Sequence, residues 1–158
     1  MSRRKSIARI LAICCAPLAV SGCAGIEVLH ESAYCPGDKE RQALVVRDQA
    51  ALGGLWQSLR NAPETGAAPS VDFRNQRILF LADAEKPTAG YRVRLASPTL
   101  TVNMGVASLS LETAAPGGMT AQVITRPCLL LALPGGDYQR IEATDQTGQV
   151  WATAVPAD

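Results

Sequence analysis

Residues 52–59 carry Leu52, Leu55, Trp56 and Leu59 at offsets of 0, 3, 4 and 7, the stripe of a helix with one apolar face. Asp48 stands where an N-cap belongs, so a helix is predicted from about Asp48 to Leu59. Gly53 and Gly54 each cost such a helix about 1 kcal/mol relative to Ala, so it needs a tertiary surface to lie on. Most other periodic segments read as strands. Residues 42–46 are β-prone, residues 78–81 form a continuous apolar run suited to a strand buried on both faces, and Tyr91-Arg-Val-Arg-Leu95 alternates strictly. In that last segment Tyr91, Val93 and Leu95 would face a core, with Arg92 and Arg94 outward. Residues 100–102 and 106–111 flank Asn103-Met-Gly105, whose Asn and Gly suit a tight hairpin turn. Further strands are predicted at 121–124, 128–133, 138–143 and 150–153, and residues 61–70, rich in Pro, Gly and Ala, form a loop. No βαβ alternation is present, which disfavours a parallel nucleotide-binding sheet. The fold class is therefore mainly β, a β-rich α+β arrangement. Its architecture is a small antiparallel β-sandwich or barrel with one N-terminal helix.

The first apolar stretch has another meaning. Arg3, Arg4, Lys5 and Arg9 precede an apolar run over 10–20 that is short for a membrane span. Leu18-Ala-Val-Ser-Gly-Cys23 then closes it with small residues and a cysteine. The pattern is similar to that of bacterial lipoproteins, which predicts a signal peptide over residues 1–22, lipid attachment at Cys23, and an anchor in the membrane. Ala24 rather than Asp after the cysteine implies outer-membrane sorting, with the protein facing the periplasm. The alternative is an ordinary secretory signal cut nearby, leaving a soluble protein. Residues 23–40 read as a lipidated tether and opening segment, and 41–158 as a single β-rich domain.

Loss of the signal alters the charge balance. All fourteen acidic residues remain beside eleven basic ones, a formal charge of about −3 that gives no case for nucleic acid. Cys14 and Cys15 leave with the signal and Cys23 takes lipid, so Cys35 and Cys128 are the candidate disulfide in an oxidising envelope compartment. A nucleophilic Cys35 served by His30 would need a thiolate-stabilising setting that residues 30–37 lack. Metal-ligand spacing, Gly-x-Ser-x-Gly and phosphate-cradling loops are all missing from the sequence. Asp83 and Glu85, the carboxylates available for acid–base work, read as solvated loop charges. Catalytic residues, metal and cofactor are therefore assigned to none, and the chain reads as a non-enzyme.

Two loops carry the remaining signal. In Lys86-Pro-Thr-Ala-Gly-Tyr91, Pro87 fixes its own φ, Thr88 can bond to backbone and Gly90 permits a positive φ before Tyr91 enters the sheet. In Thr125-Arg-Pro-Cys128, Pro127 interrupts two apolar segments and Arg126 is expected to be presented at the break. Lys86, Pro87, Thr88, Gly90, Tyr91, Arg126 and Pro127 are thus candidate partner-binding residues if the two loops share one rim. Turn formation alone accounts for the prolines and glycines one by one, and then Tyr91 would simply be core.

From about 71 to 150 the chain resembles the C-terminal domain of PrcB-type protease-complex subunits. The resemblance is carried by Asp72-Phe73, the Pro87-Thr88-x-Gly90-Tyr91 loop, Pro116, and Thr125-x-Pro127 leading into Cys128-Leu-Leu-Leu-Ala-Leu-Pro134. It implies a small envelope domain that associates with, or stabilises, a proteolytic complex through an unidentified envelope protein. A more distant likeness is to chagasin-type inhibitors of papain-like cysteine proteases. Pro87-Thr88, Gly90-Tyr91 and Arg126-Pro127 echo two of that family's three inhibitory loops, while Lys86, Ala89 and Cys128 depart from its pattern. A purely structural envelope lipoprotein is the third reading.

Overall fold

A computed structural model describes residues 25–59 and 66–156. The predicted signal peptide and Cys23 lie outside the described residues, as does the first half of the loop assigned to 61–70. The elements, in chain order, are β1 (Glu27–Ser32), β2 (Gln42–Val46), α1 (Gln49–Ser58), β3 (Gln76–Ala82), β4 (Arg92–Leu95), β5 (Thr101–Asn103), β6 (Val106–Ala114), β7 (Cys128–Pro134), β8 (Arg140–Thr144) and β9 (Val150–Ala154). Two sheets face each other. One has the order β1-β7-β3-β2, all antiparallel; the other runs β4-β6-β8-β9, with β5 also paired to β6.

The apolar runs of β3 and β7 occupy the centre of the first sheet because they alone are apolar on both faces. Leu79 pairs with Leu131 and Leu81 with Leu129, and this face packs on Leu109, Leu111, Ile141 and Trp151 of the second sheet. The opposite face, Ile78, Phe80, Leu130 and Ala132, is covered by Leu52, Trp56 and Leu59 of the α1 region. Each such large side chain contributes about 1.5–3 kcal/mol on burial. The result is three layers, helix on sheet on sheet. Asp48 caps α1, its Oδ1 accepting from the Ala51 N–H at 2.8 Å.

Three sequence expectations change. The 121–124 stretch is not a strand: Ala121 O accepts from both Ala89 and Val123 N–H, which turns the backbone away from a ladder. The β5–β6 turn is centred on Met104 and Gly105, with φ +46° and +77°, so Met104 rather than Asn103 takes the first left-handed position of a I′-type turn. One strand pair, β6 with β8, is parallel. Between them the chain crosses to the first sheet as β7 and returns, which brings β8 back in the direction of β6. The entry strand expected around Ile26 and Val28 is present as β1, hydrogen-bonded to β7. The fold class itself holds.

Candidate functional site

The predicted loops meet at the end of the first sheet where β3 finishes and β7 starts. Lys86 and Thr125 form an isolated antiparallel bridge, with N–H to carbonyl distances of 2.8 and 3.0 Å in the two directions. Thr125 Oγ1 donates to Thr88 O at 2.9 Å, and Ala89 N–H donates to Ala121 O at 3.0 Å. Residues 86–91 and 119–125 are therefore one rim. Gly90, at φ +96°, is required there: a Cβ would come within 2.8 Å of Pro116 Cβ. A cleft of about 260 Å³, lined in part by Ser32, Gly90, Tyr91 and Arg92, opens beside the loop.

Beneath the rim the polar groups hold one another. Asp83, 5% exposed, receives Lys86 Nζ at 2.9 Å, Arg41 Nε at 3.2 Å and the Ala84 N–H at 2.9 Å. Arg41 also lies over the Trp151 ring, 4.4 Å from its centroid, and donates to Trp151 O. Lys86 Nζ stands 5.4 Å from the Tyr91 ring centroid. Asp83 is thus a buried, fully engaged tie between the two sheets and not the solvated loop charge its position suggests. Glu85 is exposed.

Arg126 requires the larger correction. It is 4% exposed and is not presented to solvent. Its guanidinium donates to Pro36 O, to Glu40 O at 3.0 Å and to Gln42 Oε1 at 3.4 Å, while its backbone exchanges bonds with Ala33 and Cys35. Burial lowers the guanidinium pKa, and the carboxylates of Asp38, Glu85 and Asp83 oppose that shift. Pro127 is buried as well. The Cys35–Cys128 disulfide is formed, with Cα atoms 6.0 Å apart, so the 33–40 loop is fastened to β7 by a covalent link and a buried cation together.

The rim's outer surface comes from residues that the sequence reading passed over. Met119 is fully exposed, Ile124 is 65% exposed and Val123 is also in solvent. Val123-Ile124 was read as strand because two adjacent apolar residues fit a core run; only the turn at Ala121 puts them outside. Of the predicted residues, Lys86, Pro87, Thr88, Gly90 and Tyr91 belong to the rim, and Arg126 and Pro127 form its floor. Among the described residues no group of three or more His, Cys, Asp or Glu could hold a metal ion, and no helix is long and apolar enough to cross a membrane.

The fold and rim define a small helix-backed β-sandwich that presents a fastened loop surface at one end. Residues 78–134, from β3 to the end of β7, match the family model described as PrcB C-terminal. This bears out the resemblance to that family, on a stretch that contains the whole rim. The likeness to chagasin-type inhibitors gains no support from it. No curated protein and no solved structure matches the chain.

Proposed function

We propose that the chain is an outer-membrane lipoprotein, anchored through Cys23 and facing the periplasm, whose rim of residues 86–91 and 119–125 binds a protein partner within a protease-associated assembly. The observation that carries the reading is the exposed apolar crest, Met119, Val123 and Ile124, on loops fastened from below by Asp83, Arg126 and the disulfide. Large apolar side chains on a pre-ordered loop lose little entropy on docking and gain the whole of their burial. The register supports the orientation. Glu27 of β1 lies beside Ala132, at the end of the first sheet remote from the rim, so a chain tethered just before β1 would hold the rim away from the membrane.

Binding is favoured over catalysis because Asp83, the buried carboxylate beneath the rim, is taken up by Lys86 and Arg41. The single histidine, His30, packs its ring against Trp56 across the sheet. An inhibitor of the chagasin type would need Arg126-Pro127 at the surface, and burial removes that loop from any such contact.

The test is co-purification from detergent-solubilised membranes, comparing the native chain with Val123→Ser plus Ile124→Ser. Both side chains are exposed, so folding should be retained while stoichiometric partner capture falls. Equal capture by the double variant would discard the rim as the binding surface, and the absence of any stoichiometric partner would favour a structural lipoprotein. Intact mass of the purified protein reports the acyl groups on Cys23 independently of either result.

A further inference from the structure

A groove of about 690 Å³ lies at the pole opposite the rim. It is bounded by the end of β2, the turn before β3, the β7–β8 loop and the chain after β9. Val46 pairs with Ile78 and Gln76 with Pro134, so this pole and the rim are separated by the length of β3, roughly 20 Å. Its walls are partly apolar, with Phe73, Tyr138 and Val155, and it contains two guanidiniums, Arg47 and Arg77, against one carboxylate, Asp137.

The groove is built. Gly135 N–H donates to Asn75 O at 2.7 Å, and Tyr138 OH donates to Pro134 O at 2.7 Å. A Cβ on Gly136 would come within 2.5 Å of the Tyr138 ring, so the ring is seated against this glycine. Arg77 Nη1 donates to Phe73 O and Gln76 O. Neither Arg47 nor Arg77 has a carboxylate within ion-pair distance among the described residues, and neither has Arg74, on the adjoining turn. Asp48, the cap of α1, and Asp72, on the turn before β3, lie at this pole as well, while Asp38, Glu40, Asp83 and Glu85 stand at the rim pole beside Lys39, Arg41 and Lys86. The positive excess is therefore local to the groove, where Arg47 and Arg77 share the lining with Asp137 alone.

That end is also where β1 begins, and Cys23 lies two residues before Gly25, a reach of at most roughly 7 Å. We propose that this pole rests on the anchoring membrane, with the Arg47–Arg77 groove taking the phosphate of an anionic phospholipid. The orientation rests on the lipid anchor of the proposed function; the phosphate site does not. Charge complementarity selects this occupant: guanidiniums match phosphate oxygens in charge and fork geometry, juxtamembrane arginines are drawn to anionic surfaces, and the apolar walls suit glycerol and the first acyl methylenes.

The experiment uses the chain from residue 23 onward carrying Cys23→Ser, so that no acyl group contributes; every described element lies within it. Co-sedimentation is measured with vesicles of phosphatidylcholine alone and with mixed phosphatidylglycerol–phosphatidylcholine vesicles. Binding is expected to the mixed vesicles only and to weaken with salt. Arg47→Gln combined with Arg77→Gln should reduce it by about tenfold or more. Arg47→Gln alone, at an exposed residue with no bond to lose, should reduce it in the same direction with the fold intact. Val123→Ser plus Ile124→Ser should leave it unchanged, which separates this site from the rim. Equal binding to both vesicle types, or unaltered binding by the arginine variants, overturns the proposal. Release of the protein from vesicles by millimolar inorganic phosphate would make free phosphate the ligand and overturn the membrane assignment.

Discussion

Replacing Arg126 by Met separates a surface arginine from an internal one, because the two positions predict opposite outcomes. Met keeps most of the apolar stem and removes the donors to Pro36 O, Glu40 O and Gln42 Oε1. An acceptor left unpaired in the interior costs about 1–3 kcal/mol. Here Pro36 is half-buried and Glu40 exposed, so water can reach part of what is vacated and the lower half of that range applies. Relief of the guanidinium's own desolvation cost offsets some of the loss. The net expectation is a destabilisation of about 2–3 kcal/mol, which for a chain of this size lowers Tm by about 10 °C. Urea unfolding of the oxidised protein, followed through Trp56 and Trp151 fluorescence, would register it as a lower midpoint with an unchanged slope. Arg92→Met is the control. That side chain is exposed and unbonded, and its replacement should stay within about 0.5 kcal/mol. A change of similar small size for Arg126→Met, together with loss of partner capture, would refute the internal placement and restore Arg126 as a contact residue.

Three further outcomes follow from the same structure. Reduction of Cys35–Cys128, or Cys35→Ser with Cys128→Ser, should destabilise by up to about 4–5 kcal/mol for a 93-residue separation. The combination with Arg126→Met should be non-additive in urea melts, since both fasten the 33–40 loop. Burial lowers the His30 pKa below its ordinary value, so the unfolded chain takes up the proton first; stability should be fully present above about pH 6.5 and fall as pH drops below it. His30→Phe should flatten that dependence in thermal melts taken across pH 5–8. A Cβ at Gly53 or at Gly54 meets nothing within 4 Å, so Ala at either should stabilise α1 by up to about 1 kcal/mol, read as a raised Tm.

The fold was legible wherever one residue's polarity decides its side. Ile78-Leu-Phe-Leu81 and Cys128-Leu-Leu-Leu-Ala-Leu133 are apolar on both faces and became the central strands, and the 0, 3, 4, 7 stripe became the helix that covers one of those faces. Elimination among the cysteines left the pair that is bonded. What polarity could not decide were matters settled by distant backbone. Arg126 reads as a surface residue because arginine usually is one. It is internal because two main-chain carbonyls some ninety residues earlier converge on it. Val123 and Ile124 fail in the opposite sense, as apolar residues put in solvent by a turn whose hydrogen bond comes from Ala89. The parallel β6–β8 pairing depends on which sheet β7 joins, and no local pattern encodes that.

The rim and the groove also differ in which part of the chain builds them. Residues 78–134, the stretch that matches the PrcB C-terminal model, take in β3 from Ile78 onward, β7, the two rim loops and the exposed crest. Arg47, Arg74 and Arg77 precede that stretch, and Gly136, Asp137 and Tyr138 follow it. A surface carried on the central strands keeps its geometry whatever the outer strands do, because β3 and β7 are locked on both faces by packing. The groove is assembled instead from the ends of β2 and β9, the first residues of β3 and flanking turns, so substitutions at its exposed side chains should alter vesicle binding without disturbing the rim. Partner capture and membrane orientation are therefore separable by mutation, and a variant that loses one should retain the other.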